Sequence, residues 1–513
     1  MESYMKEDKG ARIQAPVCNR QTAVELTCDV TLPDYKPEIR RLLSVRTKVV
    51  PPDHYVGAGS ADFSGTVHYT ILYVGSDGAL YCLDEVGNYQ FAVPIEAGSD
   101  FEWNEGLVAD CRMQTESVGG RVAAPRKIAI RGRLRAHVKL LGTRRLEESI
   151  SGIDPGATER LCGQIDAARV FTGRLPDLRL GDEILCDAGA GDLRVIASEG
   201  QVFITEATAK SACVSCHGEV ALKLLTVRDG TAEAPTSTTR RIPFSCEIPT
   251  DGAEINCDAC AWGICPEVSV TVEDGRILCE VSVCLSAQAQ RNESIPYTRD
   301  IYSTEATCEA KFRTLPVVQA GVCHNGNLSL NTTRPLSEIG IGSGAEVIDL
   351  FLSPLPGTLE CSNGKYVLSG VCQCSLILCE AGEYSLQELE IPLRYACDGT
   401  KLPAGDWHAE AQVISSRARV DGERIAVDAE LALALATRCD AELRALSEAR
   451  FEKLAPHRTA TITICYPSRE DTLWSVAKRY RRSVHTIAGM NELSDAPRAD
   501  APESLAGVTY LLV

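Results

Sequence analysis

One alternating pattern that returns twice constrains this chain more than any other feature. In Phe63-Ser-Gly-Thr-Val-His-Tyr-Thr-Ile-Leu-Tyr73, the side chains of Phe63, Val67, Tyr69, Ile71 and Tyr73 share a face. A period of two is the mark of a half-buried β-strand. A Gly-rich turn, Gly75-Ser-Asp-Gly78, and a return segment closing at Phe91-Ala-Val-Pro94-Ile95 complete a hairpin. The same grammar recurs around Gly218, with Val220, Leu222 and Leu224, a turn at Arg228-Asp-Gly230 and a close at Ile242-Pro243-Phe244. It recurs again around Gly370, with Cys372, Cys374, Leu376 and Leu378, a turn at Glu380-Ala-Gly382 and a close at Ile391-Pro392-Leu393. Gly218 lies 153 residues after Gly65, and Gly370 lies 152 after Gly218.

A second strand repeats in step with the first. Ile128, Ile130, Gly132, Leu134 and Ala136 match Ile277, Cys279, Val281, Val283 and Leu285, then Ile425, Val427, Ala429, Leu431 and Leu433. Each run follows a basic residue, Lys127, Arg276 or Arg424. Two strands in one register three times over identify an internal repeat. The fold class expected is mainly β: three tandem antiparallel β-rich domains over 20–165, 166–312 and 313–455, as sandwiches or meanders with one buried and one solvated face per strand. The anchor glycine in mid-strand marks a bulge or a close backbone approach.

At 513 residues the chain exceeds what a single hydrophobic core serves, which agrees with several domains. Aromatic residues make up only 5%, so the cores must be built from Val, Ile, Leu and Ala. A net charge of −18 repels phosphate backbones and anionic lipid, which argues against nucleic acid and membrane surfaces as partners. Met1 to Asn19 hold no apolar stretch of signal-peptide length, so the sequence predicts retention in the compartment that makes the protein. No run approaches the roughly 18 apolar residues that span a bilayer.

The 23 cysteines are odd in number and scattered, unlike a disulfide framework. Cys213-x-x-Cys216 and Cys257-x-x-Cys260 have zinc-type spacing within each pair, but too much chain separates the pairs for a compact ribbon. Cys279, Cys372 and Cys374 stand where sister repeats carry aliphatic or aromatic residues, so they read as small core hydrophobes. Neither metal nor cofactor is expected. No H-E-x-x-H, G-x-S-x-G, P-loop or dinucleotide fingerprint occurs in a suitable context, so no catalytic residue is assigned.

The last stretch changes character. Thr461-Ile-Thr-Ile-Cys-Tyr466 alternates like a short strand. Asp471 is placed to cap a helix with Leu473, Val476, Ala477 and Tyr480 on its apolar face. Ser483 is placed to cap a second helix carrying Val484, Ile487 and Ala488, and Val508-Thr-Tyr-Leu-Leu-Val513 closes the unit. The expectation is a small α+β (βααβ) domain over 457–513. Trp474 is able to stack on a sugar, but its place on the amphipathic helix predicts that it packs partly into the core. Lys478-Arg479 and Arg481-Arg482 form a basic patch, which serves the helix dipole and solubility or receives an acidic protein surface.

Asp471-Thr-Leu-Trp-Ser-Val-Ala-Lys-Arg-Tyr480, Ser483-Val484 and Asn491-Glu-Leu493 resemble the LysM domain, a carbohydrate-binding module associated with peptidoglycan. Leu32-Pro-Asp-Tyr-Lys-Pro-Glu-Ile39, Val45, the Gly65–Tyr73 strand, Phe91–Ile95, and Tyr302-Ser-Thr304 after Asp300 resemble the SPOCS domain of endospore-forming bacteria. In the second and third repeats the Leu-Pro-Asp-Tyr box is expected to shrink to Leu175-Pro-Asp177 and Leu315-Pro316. Several SPOCS domains followed by LysM is the arrangement of the SipL-type spore coat morphogenetic family. That resemblance implies a non-catalytic scaffold, made in the mother-cell cytoplasm and recruited to the forespore surface. It would tether coat proteins there through contact between its LysM region and the coat-morphogenetic ATPase. The alternative implied is a protein that binds peptidoglycan, an N-acetylglucosamine glycan, in cortex or wall. The partner- or glycan-binding residues expected are Asp471, Thr472, Trp474, Lys478, Arg479, Arg481, Arg482 and Asn491.

Overall fold

The computed structural model describes residues 11–57, 59–95, 101–102, 107–151, 158–185, 193–228, 234–273, 276–342, 344–399, 405–453, 463–493, 505 and 508–513. The chain is mainly β, and one six-stranded unit occurs three times. In the first repeat its strands are Ala11–Thr31, Ile39–Val49, Ser60–Gly75, Leu80–Pro94, Val108–Ala124 and Lys127–Leu146, with the short Asp53–Val56 and Phe101–Glu102 added. In the second they are Thr158–Leu185, Leu193–Lys210, Cys213–Arg228, Thr236–Pro249, Asp258–Glu273 and Arg276–Ser303. In the third they are Ala306–Pro335, Glu346–Ser362, Lys365–Glu380, Glu383–Asp398, Asp406–Asp421 and Arg424–Lys453. The second, third and fourth strands form one antiparallel sheet about the third strand; the first, sixth and fifth form another about the sixth. The short strand Ser149–Ser151 adds to the third repeat, in parallel with Glu448–Arg450.

The domain edges differ from those the sequence predicts. Positions 165/166 and 312/313 fall inside the long strands Thr158–Leu185 and Ala306–Pro335, so the second and third units begin earlier. The first strand of each repeat pairs along the sixth, the last of its own unit, and an edge cannot cut that ladder. The Leu-Pro-Asp-Tyr box also moves. Leu32 follows the first strand, and its amide donates to the Arg126 carbonyl; the matching bond in the third repeat runs from Leu336 to Glu423. Leu336 is therefore the counterpart of Leu32, whereas Leu315-Pro316 and Leu175-Pro-Asp177 lie within first strands, the latter at a register shift. The turn at Arg228-Asp-Gly230 runs outside the described residues.

The alternation identified in the sequence does bury its face. Val67, Tyr69, Ile71 and Tyr73 join Ile128, Ile130 and Leu134 in one core, and equivalent cores fill the second and third sandwiches. The anchor glycines lie at close approaches. A Cβ on Gly218 would stand 2.5 Å from the Phe203 carbonyl oxygen, and one on Gly370 would stand 2.3 Å from that of Leu355. In the second and third repeats the facing strand bulges beside that glycine, past Ile204 and past Pro356.

The outer face of the third strand is not solvated, as strict alternation implies, because the three sandwiches meet there. Leu72, Leu225 and Ile377 hold the same place in the three repeats and pack in one cluster with Leu80, Cys82, Ile196 and Ile348. Directly beside them, the register makes Arg46, Glu199 and Phe351 equivalent, since these residues face Thr70, Lys223 and Ser375. These three residues also touch. Arg46 Nη1 lies 2.5 Å from Glu199 Oε2, and its guanidinium carbon is 3.4 Å from the Phe351 ring centroid. Lys223 pairs with Asp349 and donates to the Leu350 carbonyl at 2.6 Å. Burial works against the Glu199 carboxylate, but Arg46, Lys48 and Lys223 prevail and hold its pKa down to about 2.

A second polar knot joins the fifth and sixth strands of different repeats. Arg438 Nη2 is 2.9 Å from Asp110 Oδ2, and His408 Nδ1 is 3.2 Å from Asp110 Oδ1. Burial opposes the charge on Asp110, yet His408, Arg438 and Lys139 hold the carboxyl well below the usual carboxylate range. No helix among the described residues is long and apolar enough to cross a membrane.

Leu225→Ala at the shared cluster should lower unfolding free energy by about 2–5 kcal/mol, read by chemical denaturation, because a fully buried leucine leaves a cavity. The folded-state pKa of Glu199 lies below its unfolded value, so its contribution is present above pH 4.5 and disappears as pH falls toward 2. The loss is on the order of 2–3 kcal/mol. Glu199→Gln should be less stable than the parent at neutral pH and show a flatter thermal midpoint across that acid window.

Candidate functional site

The C-terminal unit is a βααβ arrangement: Ile464–Cys465, helix α1 over Leu473–Tyr480, helix α2 over Val484–Met490, and Leu511–Leu512, which pairs antiparallel with Ile464–Cys465. Of the two expected strands, Thr461 and Ile462 lie outside the described residues. The helix cap differs by one residue from the sequence reading. Thr472, not Asp471, is the N-cap: its hydroxyl accepts from the Ser475 amide, and the Ser475 hydroxyl accepts from the Thr472 amide. Ser483 stands at the N-cap of α2 without a side-chain cap bond.

The eight expected binding residues divide into three groups. Asp471, Thr472, Arg479 and Asn491 build the unit itself. Asp471 accepts from the Ser468 amide and from Arg479 Nη2 at 2.5 Å, and these partners, the amide first, hold its pKa down to about 2. Asn491 pins the closing strand, donating to the Leu512 carbonyl and accepting from the Leu512 amide, each at 2.7 Å.

Trp474 and Lys478 turn inward to the second repeat. The Trp474 indole Nε1 donates to Asp300 Oδ2 at 2.9 Å, and Lys478 Nζ lies 2.5 and 2.7 Å from the two Asp300 oxygens. Tyr302 packs edge-on against Trp474 with ring centroids 4.9 Å apart, and its hydroxyl donates to the Arg482 carbonyl at 2.7 Å. Tyr302 and Leu161 thereby join the apolar core of the C-terminal unit. Asp300 and Tyr302, at the end of the sixth strand of the second repeat, are residues the sequence reading left without a role in this unit; their proximity to Trp474 requires the fold.

The side chains of Arg481 and Arg482 remain outward. Arg481 has left-handed backbone, φ 52°, at the end of α1, which projects the pair away from the helix axis. The same unit exposes Ile464, Tyr466, Tyr480, Met490 and Tyr510. Tyr466 and Tyr510 adjoin Cys465 and Leu511, the last pair of that ladder. What the unit offers is an aromatic and cationic surface, suited to an acidic protein face or to stacking.

The cysteine pairs are apart from this unit, in and beside the core of the second repeat. Cys216 faces Cys246 across the second repeat's hairpin, whereas Cys260 lies with its sulfur 3.4 Å from that of Cys323, between the second and third repeats. Among the described residues no group of three or more His, Cys, Asp or Glu could hold a metal ion.

Asp300→Ala should loosen the C-terminal unit from the second repeat without unfolding the repeats. The expected signature is about tenfold faster hydrogen exchange across 473–490 with unchanged protection in the central strands, a local loss of about 1–2 kcal/mol. Equal exchange in parent and variant would remove Asp300 as the anchor. The chain matches no family model, no curated protein and no solved structure.

Proposed function

We propose that this chain is a non-catalytic scaffold of endospore coat assembly, with three SPOCS-like sandwiches and a LysM-like terminal unit. On this reading it is made in the mother-cell cytoplasm and held at the forespore surface, where the terminal unit contacts the coat-morphogenetic ATPase and the sandwiches hold other coat proteins. The observation that carries the proposal is the way the terminal unit is mounted. It is anchored by Asp300 to a body of three interlocked sandwiches, leaving Arg481, Arg482 and the tyrosines outward. A rigidly held recognition surface on a broad β body is what an adaptor needs, since pre-organisation lowers the entropic cost of association.

The alternative is recognition of peptidoglycan glycan by the same unit. The exposed Tyr466, Tyr480 and Tyr510 favour it, because sugar faces stack on aromatic rings. The burial of Trp474, at 6% exposure and bonded to Asp300, weighs against it by removing the largest ring from any groove.

The test sets the full chain against purified coat-morphogenetic ATPase and against peptidoglycan fragments. Binding to the ATPase, weakened about tenfold or more by Arg481→Glu with Arg482→Glu, is the expected result. The Tyr302 bond uses the Arg482 backbone, so that double change leaves the docking contact in place. Binding to the fragments alone would make the protein a wall or cortex binder.

A further inference from the structure

The three sandwiches meet along seams built from equivalent faces, and one seam is unlike the others. The sixth strands align through Ile128, Ile277 and Ile425, each paired opposite its own first strand. Arg135, His137 and Lys139 therefore stand where the second repeat has Cys284, Ser286 and Gln288 and the third has Ala432, Ala434 and Ala436. Between the third and second repeats the seam is closed by apolar packing of Ala432 and Ile414 on Phe203 and Ala221. Between the second and first it is bridged by Arg174 and Asp53 at 2.8 Å. Between the first and third a half-open cavity of about 410 Å³ remains.

That cavity has a consistent chemistry. The first repeat supplies Arg112, Gln114, Arg135 and His137, and the third supplies Gln373 and Glu390. In a chain of net charge −18, the lining thus carries two guanidiniums against one carboxylate, beside the His137 ring. Arg135 is shared with Glu116, at 2.5 Å on the exposed rim. The Arg112 guanidinium lies over the Trp407 ring at 4.5 Å, which fixes its plane and leaves its edge for a ligand. Burial, then Lys139 and Arg112, hold the pKa of His137 down to about 4, which leaves the ring neutral at pH 7, with Nε2 2.9 Å from Asn19 Oδ1.

The wall contributed by the third repeat includes two glycines, Gly357 and Gly370, beside its side chains. In the second repeat the bulge carries Thr205, whose hydroxyl donates to the His217 carbonyl at 3.0 Å. The third repeat has Gly357 at that bulge, with no such hydroxyl, facing Gly370 where a Cβ has no room. Gln21, Gln114 and Gln373 surround this backbone with amides that both donate and accept. No Phe, Tyr or Trp is among the described residues that line the cavity.

We propose that this cleft is a binding site for an acidic, extended segment of a partner polypeptide, its carboxylate at the Arg112 guanidinium, near His137, and its backbone amides at the glutamines. The site is separate from the C-terminal unit and does not depend on what that unit binds. Its volume lies within the roughly 300–1,000 Å³ of ordinary ligand pockets.

The test is fluorescence polarisation of the full chain with a labelled tetraglutamate peptide, a tetraglutamine peptide, and inorganic phosphate as competitor. Tetraglutamate should bind about tenfold or more tightly than tetraglutamine. Gln373→Glu, an exposed change at the mouth, should weaken tetraglutamate about three- to fivefold, and Glu390→Gln should strengthen it by a similar factor. The His137 ring resonance should titrate at higher pH with the peptide bound. Equal binding of the two peptides, indifference to both charge changes, or an unmoved His137 titration would overturn the proposal. Displacement by phosphate at the same concentration as by peptide would also overturn it, reassigning the cleft to small anions.

Discussion

The Arg46–Glu199 pair, stacked on Phe351, stands where three copies of one strand position converge. Symmetry makes demands at such a point. Three leucine-like residues can meet there, as Leu72, Leu225 and Ile377 do, because apolar contact is indifferent to sign. Three arginines or three glutamates would leave like charges together in a poorly solvated site, at a cost of several kcal/mol. A homotrimer would be confined to the first solution. A single chain with three diverged copies can set cation, anion and ring together at one such point. Desolvation offsets part of the attraction between buried charges, but the lowered pKa of Glu199 shows a net gain, so the pair adds stability as well as fixing the arrangement.

The same logic extends outward. Side-chain amides clasp backbone across the seams: Gln14 both donates to and accepts from Val170, and Asn292 does the same with Ala320. Each clasp satisfies a backbone pair that the neighbouring sheet cannot reach, so an otherwise costly buried edge becomes a directional contact. With the body held in this way, Asp300 is a fixed point rather than a mobile end. The terminal unit, only about 50 residues and with a small core of its own, gains Tyr302 and Leu161 from the second repeat. Small domains are short of buried area, and borrowed apolar surface offsets that deficit.

Much of the interior was legible in the sequence because one periodicity governs it. The face of Phe63, Val67, Tyr69, Ile71 and Tyr73 alternates strictly, and the structure buries it. The opposite face was misleading for a physical reason. Leu72 and Val74 are apolar as well, and an apolar residue out of phase in an alternating strand signals a second buried surface, here the one shared with other repeats. The domain edges were not legible because they depend on which strand closes each ladder. Thr158 pairs with Ser303, far away in sequence, and no local pattern reports that pairing. Trp474 was legible as an apolar anchor, but its partner was not, because Asp300 lies in a different repeat.

Internal repeats supply a comparison within a single chain. Positions that share a register share a backbone, a pairing partner and a depth, so the structural demands on them are close to equal. Where the copies agree in character, as Ile128, Ile277 and Ile425 do, the fold accounts for the residue. Where they diverge, packing alone does not. Arg135, His137 and Lys139 opposite three alanines of the third repeat are the clearest divergence of this kind. Small neutral residues suffice to close that face, because the third repeat closes its own seam with them. In the same places Arg135 and His137 line the cavity wall and Lys139 is buried. Lys139 shows the cost, since burial pulls its pKa down to about 8 even with Asp110 nearby. Its pairing with Asp406 and its place beside Asp110 give Lys139 a structural use, which leaves Arg135 and His137 as the divergent residues that line the cavity.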